Sequence, residues 1–389
     1  MFQLSKEALE ARGAEITTRE IKQQPELWLE TLQLYQSRQS KIDAFLNDIL
    51  AKHEHVKVIF TGAGTSQYVG DTALPYLKQF GNRHQIEFSS VGTTDIVATP
   101  YEYFFKDEPT IVVSFARSGN SPESIATVDL ANQSIDNVYH IFITCAPEGK
   151  LAQRAPENDN VLLLMMPERS NDAGFAMTGS YSCMLLTAVL VFDTTDLSTK
   201  EAHVKVASQL GESVIEREAD IQKLVDLDFE RIVYLGSGSL AGLTREAQLK
   251  VLELTAGRMT TIFDSSMGFR HGPKSFVNHK TIVFTFINNH PYTRLYDLDI
   301  INEISGDQIA VDTVAIGQVD TLEGFTGTTF AFDTTHVLPD AYLALPDVLF
   351  AQTISLLASI KVGNTPDTPS PSGTVNRVVK GVILHPYEQ

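Results

Sequence analysis

With 389 residues the chain is long for one domain and sufficient for two or three. Its 43% hydrophobic and 20% charged residues describe a globular chain with a sizeable core and exclude disordered, collagenous and coiled-coil classes. The balance of 30 Lys and Arg against 48 Asp and Glu leaves a formal net charge of −18, a field that repels nucleic acid and anionic membrane surfaces. A small anionic ligand stays open, because backbone amides and hydroxyls hold one locally without net positive charge.

Cys145 and Cys183 lie in apolar surroundings and show neither CxxC nor Cys/His ligand spacing, so a reducing compartment is expected rather than a disulfide framework. The N-terminus, Met1-Phe2-Gln3-Leu4-Ser5-Lys6-Glu7, has no apolar core of a signal peptide. Tyr181 to Phe192 reads as the longest apolar stretch, shorter than the roughly 20 residues that span a bilayer, and is expected as a buried helix. A cytoplasmic protein with no membrane or nucleic-acid partner is the expectation.

In chain order, residues 1–50 read as a helical segment, with Leu27, Trp28, Leu32, Tyr35, Ile42, Phe45 and Ile49 near helical spacing. Val56 to Phe60 is a β-branched and aromatic run that stops at Thr61-Gly62-Ala63-Gly64-Thr65-Ser66 and passes into a helical pattern. Further strand-like runs come at Ile111–Phe115, Val138–Thr144 and Val161–Met166. Continuous apolar strands alternating with helices predict an α/β fold with parallel sheets covered on both faces. The layout then returns. Ile232-Val233-Tyr234-Leu235-Gly236-Ser237-Gly238-Ser239 echoes Val58-Ile59-Phe60-Thr61-Gly62-Ala63-Gly64-Thr65, and Thr281–Phe286 echoes Thr110–Phe115. Two matches at nearly one offset predict an internal duplication. The expected domains are 51–210 and 211–365, after the helical segment 1–50. Tyr342 to about Ile360 reads as a last apolar helix. Thr365–Gly373 then reads as an extended linker that ends in an apolar tail, Val375 to Leu384, expected to be ordered, the C-terminal tail being 366–389 in all.

Chemistry concentrates at a few turns. Gly62–Ser66 sits where a strand passes into a helix, the place where glycines permit a tight turn and helix amides face an anion. Gln67 replaces the third glycine of a dinucleotide fingerprint, and no Walker loop is present. Ala116-Arg117-Ser118-Gly119-Asn120-Ser121-Pro122-Glu123 follows another strand, with Pro122 suited to the first helical position and Ser121 to the N-cap. Two hydroxyl-rich turns suit one phosphoryl group, and a phosphate monoester more than a diphosphate, although Ser121 acting only as a cap is the alternative.

Gly64-Thr65-Ser66 after the first strand and Ser118-Gly119-Asn120-Ser121 after a later one resemble the sugar isomerase (SIS) domain, which binds phosphosugars. Residues 50 to 365 resemble a tandem SIS pair, similar to the isomerase half of glucosamine-6-phosphate synthase. Arg117–Ser124, Asn289–Arg294 and the tail Val375–Val382 are more similar to the galactosamine-6-phosphate deaminase/isomerase family, also called tagatose-6-phosphate ketose/aldose isomerase. The fold expected from this resemblance is two flavodoxin-like three-layer SIS domains. Its implied substrate-binding residues are Thr65, Ser66, Ser118, Asn120 and Ser121.

Lys250 and Glu253, three apart on a predicted helix Leu243–Ala256, share one face. A solvated charged face with a Glu246–Lys250 pair is the plain alternative. Val251, Leu252 and Leu254 are expected to surround Glu253 with apolar residues and raise its pKa, as suits a base for a proton beside a carbonyl. The resemblance implies the same role, since synthase-like enzymes use the glutamate of a Lys-x-x-Glu as proton shuttle. His271-Gly272-Pro273 places a titratable ring on a sharp turn. The family uses this histidine for ring opening, often donated by a neighbouring subunit, which implies a homodimer or higher homo-oligomer. Glu253 and His271 are eighteen positions apart, slightly more than in the synthase. Lys380 aligns approximately with a lysine that the synthase uses near the sugar's carbonyl end, a surface lysine on a terminal strand being the alternative, and Arg117 stands where the synthase has glutamine. No histidine shows metal spacing, so neither metal nor cofactor is expected.

The implied reaction is conversion of galactosamine 6-phosphate to tagatose 6-phosphate and ammonia, because the chain shows no glutaminase domain to supply ammonia for synthesis. Aldose–ketose isomerisation of a hexose 6-phosphate is the alternative within enzymes, and a non-catalytic phosphosugar sensor the alternative outside them.

Overall fold

A computed structural model describes every residue of the chain except Pro156, Glu157, Val378, Lys380 and Gln389. Helices α1 (Lys6–Glu10), α2 (Glu15–Lys22) and α3 (Gln24–Lys52) precede the first strand, β1 (Val56–Gly62). There follow α4 (Thr65–Phe80), β2 (Ile86–Gly92), α5 (Thr93–Ala98), β3 (Thr110–Ala116), α6 (Pro122–Ser134) and β4 (Val138–Thr144). Then come α7 (Lys150–Arg154), β5 (Val161–Met165), α8 (Gly179–Phe192), α9 (Leu197–Glu216) and α10 (Glu218–Val225). The second half contains β6 (Arg231–Gly236), α11 (Ser239–Leu254), β7 (Thr260–Ser265), β8 (Thr281–Phe286), α12 (Thr293–Asp307), β9 (Asp312–Gln318), β10 (Thr328–Phe332) and α13 (Asp340–Lys361).

The strands form two five-stranded sheets, ordered β2-β1-β3-β4-β5 and β10-β9-β8-β6-β7, with every pairing parallel. Read from its other edge, the second order is β7-β6-β8-β9-β10, the same topology as the first. In each sheet the chain goes from its first strand to one side and then crosses to the other. The reversal leaves a crevice at the carboxyl ends of β1 and β3, and of β6 and β8. The expected α/β class and parallel sheets are therefore the observed ones.

Two compact units contain these sheets, and neither is continuous in sequence. The β1–β5 unit comprises residues 27–172, 179–200 and 374–389; the β6–β10 unit comprises residues 1–26, 173–178 and 201–373. In the first, Phe60 stacks with Phe88 and Phe115 and meets Phe192 edge-on. Every residue of α8 is buried, as its unbroken apolar run predicts, and its few polar groups find partners. Trp28 Nε1 donates to Ser182 Oγ at 2.9 Å, and the Tyr181 and Thr72 hydroxyls pair at 2.8 Å.

In the β6–β10 unit, Tyr234 stacks against Phe284 and Phe286. Helix α13 is longer than the apolar stretch singled out in the sequence. By length and composition it could cross a membrane, but nearly all of its apolar window is buried inside the protein, which makes it a core helix. The segment read as an extended linker is instead pinned. Asp367 accepts from the Ile16 amide at 3.1 Å and from the Thr17 amide and hydroxyl at 2.8 Å, and so caps α2, whose own Ala14 cannot. Glu20, buried, accepts from the Ala173 amide at 2.6 Å and the Gly174 amide at 3.2 Å, tying residues 173–178 to this unit.

Among the described residues no helix or strand follows Lys361. The apolar tail lies largely exposed, with Ile383 78% accessible. Within the β1–β5 unit it is held by the Arg117 guanidinium, which donates to the Arg377 carbonyl at 2.9 Å, and by Gln133 Nε2, which donates to the Tyr387 carbonyl at 3.0 Å.

Candidate active-site residues

In the β1–β5 unit the two hydroxyl-rich turns leave adjacent parallel strands. Register pairs Thr61 of β1 with Ser114 of β3, so both turns open at the same end of the sheet. Gly62 must be glycine, since a Cβ there would lie 2.5 Å from the backbone carbon of Ser66. Gly64 adopts φ 57° and ψ −128°, a region L side chains rarely occupy, and turns the chain into α4. It offers no side chain as a cap, and the space where its Cβ would stand is open to 4 Å. Thr65 and Ser66, the first residues of α4, are both buried at the strand end.

At the second turn Ser121 occupies the N-cap position of α6 with extended backbone, yet its side chain makes no cap bond. Its Oγ pairs instead with Ser124 Oγ at 2.6 Å. The plain reading of Ser121 as a helix cap is therefore not what the structure contains. Ser118 Oγ accepts from the Asn120 amide at 3.3 Å, and Asn120 Oδ1 accepts from the Lys150 amide at 3.1 Å. Asn120 thus braces the start of α7, and Arg117, whose role was open in the sequence, donates to the Arg377 carbonyl of the tail. Lys380 lies outside the described residues.

In the β6–β10 unit, Glu246, Lys250 and Glu253 form one chain of charge along α11. Lys250 Nζ lies 2.6 Å from Glu253 Oε2 and 3.4 Å from Glu246 Oε1. The spacings of four and three put all three groups on one helix face. Side-chain exposure is 0% for Glu246, 1% for Lys250 and 23% for Glu253, so the chain of charge runs from the core to an accessible carboxylate. Burial lowers the Lys250 pKa, but the two carboxylates outweigh it and hold the group above its ordinary value, which keeps the ammonium charged.

Two expectations change here. The Glu246–Lys250 pair is buried, not a solvated face. The apolar sequence neighbours do not enclose Glu253: Val251 and Leu254 turn into the core and Leu252 into solvent, because residues one or two apart on a helix do not share a face. The immediate partner of Glu253 is an ammonium. Glu246 was legible only as the residue four before Lys250, and nothing in the sequence marks it as buried.

His271 is exposed on a turn between two short 3-10 segments, Gly268–Arg270 and Pro273–Phe276, with Gly272 at φ 122°. Its amide donates to the Gly268 carbonyl at 2.9 Å. The residues on either side are clamped by one carboxylate of α12, Arg270 to Glu303 Oε2 at 2.7 Å and Lys274 to Glu303 Oε1 at 2.5 Å. A second ion pair, Lys274 to Asp307 at 2.6 Å, reinforces the clamp. His271 is thus exposed on a backbone held on both sides by ion pairs. The thiols carry no comparable chemistry, since burial pushes Cys145 up to about 12 and Cys183 higher still.

Replacing Lys250 by Met takes the counter-charge away from buried Glu246 and costs about 3 kcal/mol of unfolding free energy. The double variant Lys250→Met/Glu246→Gln recovers most of that loss. Urea unfolding of the three chains checks this; equal stability of the single variant and the wild type would show that the ion pair contributes nothing.

A SIS-domain family model matches residues 50–192. The chain is 42% identical over 381 residues to the D-galactosamine-6-phosphate deaminase AgaS of Escherichia coli, a match covering 96% of each chain. The crystal structure of tagatose-6-phosphate ketose/aldose isomerase from Escherichia coli matches with a TM-score of 0.86 at 39% identity, over 96% of this chain and 97% of that one. The C-terminal domain of glucosamine-fructose-6-phosphate aminotransferase from Francisella tularensis matches with a TM-score of 0.75 over 90% of this chain and 98% of that one; at 18% identity it shows the fold alone. Identity at this level across nearly the whole length, on the same two-sheet architecture, means that the chain belongs to the SIS-domain family of the AgaS D-galactosamine-6-phosphate deaminases.

Proposed function

We propose that the protein is a cofactor-independent enzyme that converts galactosamine 6-phosphate and water to tagatose 6-phosphate and ammonia. The observation that carries this reading is the near full-length identity to AgaS, together with a Lys250-positioned carboxylate on α11. The turns after β1 and β3 are assigned to the phosphoryl group, through Ser66, Ser118 and Ser121 with Thr65 at the start of α4. Asn120 supports that turn from α7. Phosphate held there supplies binding energy remote from the reacting carbons, which orients the sugar for proton transfer.

In this mechanism His271 moves a proton between the ring oxygen and the anomeric hydroxyl, releasing the open-chain aldehyde. Glu253 removes the proton from C2, and the electron pair shifts toward the carbonyl to give an enolamine. Return of a proton to C1 leaves an imine at C2, and attack by water forms the ketone and expels ammonia. Lys250, charged and engaged with Glu253 Oε2, sets the carboxylate's orientation rather than exchanging protons itself. Cleavage of the C–N bond by water makes the overall reaction a hydrolytic deamination. Lys380 is assigned to the sugar's carbonyl end from the family resemblance.

The exposure of His271 on a clamped turn supports a homo-oligomer in which the ring serves a neighbouring copy. The buried thiols of Cys145 and Cys183 support a cytoplasmic location, which recovery of the chain outside the cytoplasm on cell fractionation would contradict. A second reading, isomerisation without ammonia release, is favoured by the name of the solved Escherichia coli relative.

Incubation with galactosamine 6-phosphate is expected to yield ammonia and ketose in equal amounts; ketose formed from a neutral aldose phosphate, with no ammonia from the amino sugar, establishes the second reading. Glu253→Gln is expected to lower kcat by at least ~100-fold with little change in KM. Ser66→Ala/Ser121→Ala is expected to raise KM about tenfold or more. The opposite split would reassign both sets of residues. Mixing inactive Glu253→Gln and His271→Ala chains restores roughly a quarter of wild-type activity if each site takes the two groups from different copies of a dimer. No restoration after subunit exchange would mean that His271 acts in its own chain or not at all.

A further inference from the structure

The strand-to-helix junctions β1–α4 and β6–α11 have the same backbone. Gly64 has φ 57° and ψ −128°, and Gly238 has φ 61° and ψ −132°. The Ser66 amide donates to the Ala63 carbonyl at 3.2 Å, and the Leu240 amide to the Ser237 carbonyl at 3.2 Å. The next amides repeat the match: Gln67 to Gly64 at 2.9 Å, and Ala241 to Gly238 at 3.1 Å. Gly62 and Gly236 are alike as well, since a Cβ at either would press on the first turn of the following helix, on Ser66 or Leu240.

What differs is the space over the turn. Nothing lies within 4 Å of where a Cβ of Gly64 would stand, whereas at Gly238 the same position is 2.6 Å from Asp340 Oδ2 and 3.3 Å from Asn288 Nδ2. Asp340 Oδ2 accepts from the Ser239 amide at 2.9 Å, at the position that Thr65 holds in the other junction, and from Asn288 Nδ2 at 3.3 Å. A second buried carboxylate, Asp297 of α12, accepts from the Ser237 and Ser266 hydroxyls and from the Asn288 amide. Hydroxyls and amides at the carboxyl ends of β6, β7 and β8 are thus met by acids belonging to the same unit.

We propose that Asp340 is a resident anion: its carboxylate occupies, at the β6–α11 junction, the place that a phosphoryl group takes at the β1–α4 junction. The inference rests on the phosphate assignment of the Gly64 turn and adds to it. A sixteen-residue helix presents a partial positive charge and an unbonded amide at its first turn, and either a ligand or a tethered carboxylate satisfies them. The tethered group forgoes the entropy loss of capturing a ligand. Asp340 therefore has two consequences. It closes this junction to phosphosugars, leaving one phosphate site per chain. It also holds the start of α11 whether or not substrate is bound, and α11 carries Lys250 and Glu253 near its other end. The residue is a positioning residue, not a catalytic one.

The test is a count of inorganic phosphate bound per chain by equilibrium dialysis. Wild type is expected to bind one, lost in Ser66→Ala/Ser121→Ala. Asp340→Ala is expected to bind two, the second insensitive to Ser66→Ala/Ser121→Ala, and its thermal midpoint is expected to rise more steeply with phosphate than that of the wild type. Asp340→Asn, which keeps the side-chain volume and lacks the charge, is expected to bind one and to melt lower than wild type. If Asp340→Ala folds poorly, Asp340→Ser takes its place in the count. One phosphate per chain in the folded truncation variant, or an Asp340→Asn midpoint equal to that of the wild type, overturns the proposal. Failure of the phosphate assignment itself reads differently: wild type then binds none, while Asp340→Ala still gains one.

Discussion

A lysine ammonium enclosed between two carboxylates fixes the polar face of α11 near its C-terminal end. Glu246 and Lys250 are both shut away from solvent, and their ion pair at 3.4 Å sets one buried charge against another. Glu253 is the accessible end of that arrangement, held at 2.6 Å by an ammonium that cannot move outward. In water such an ion pair would be weak and its geometry loose. Backed by a buried second carboxylate, it defines where one oxygen of Glu253 sits and which way the group faces. In the role proposed for Glu253, a base that takes a proton from one carbon and returns it to the next benefits from that restriction, because misplacement of even about 1 Å costs rate steeply.

The same economy governs the helix starts. Glycines at the strand ends allow a backbone that brings the first turn of a helix against the sheet, and left-handed glycines, Gly64 and Gly238, leave no side chain over the turn. In one junction the space remains open, and in the other a carboxylate fills it. A single turn geometry thus leaves open the space proposed for a phosphoryl group in one place and takes a tethered carboxylate in another, according to which groups the rest of the unit brings to it. His271 follows a related logic, since one acid, Glu303, grips the residues before and after it while leaving the ring in solvent.

Much of this was legible in the sequence. Val138–Thr144 was read at its full length, Val56–Phe60, Ile111–Phe115 and Val161–Met166 to within two residues at each end, because buried parallel strands are continuous apolar runs. Strand β2, with Ser89 and Ser90 half-exposed at the sheet edge, lacks that signal and was not singled out. The Pro- and Ser-rich segment after residue 364 looks like a linker in composition, yet Asp367 caps a helix some 350 positions away, a contact no local pattern encodes. Chemistry was legible where types and spacing carried it, as in Lys250-x-x-Glu253 and His271-Gly272-Pro273. Burial was not: Glu246 looked like a surface acid, and Leu252 looked like cover for Glu253. Asp340 and Asp297 gave no signal at all, since their meaning lies in which turn they reach.

In the proposed mechanism one carboxylate, held by Lys250, carries the proton between the two carbons. Turnover of galactosamine 6-phosphate in deuterium oxide, with the product examined by NMR, tests it directly. A single base exchanging with solvent places deuterium on one face of C1 of the tagatose 6-phosphate. Deuterium in equal amounts on both faces of C1 would contradict the account, whereas a C1 free of deuterium would mean only that the base hands over the C2 proton before it exchanges.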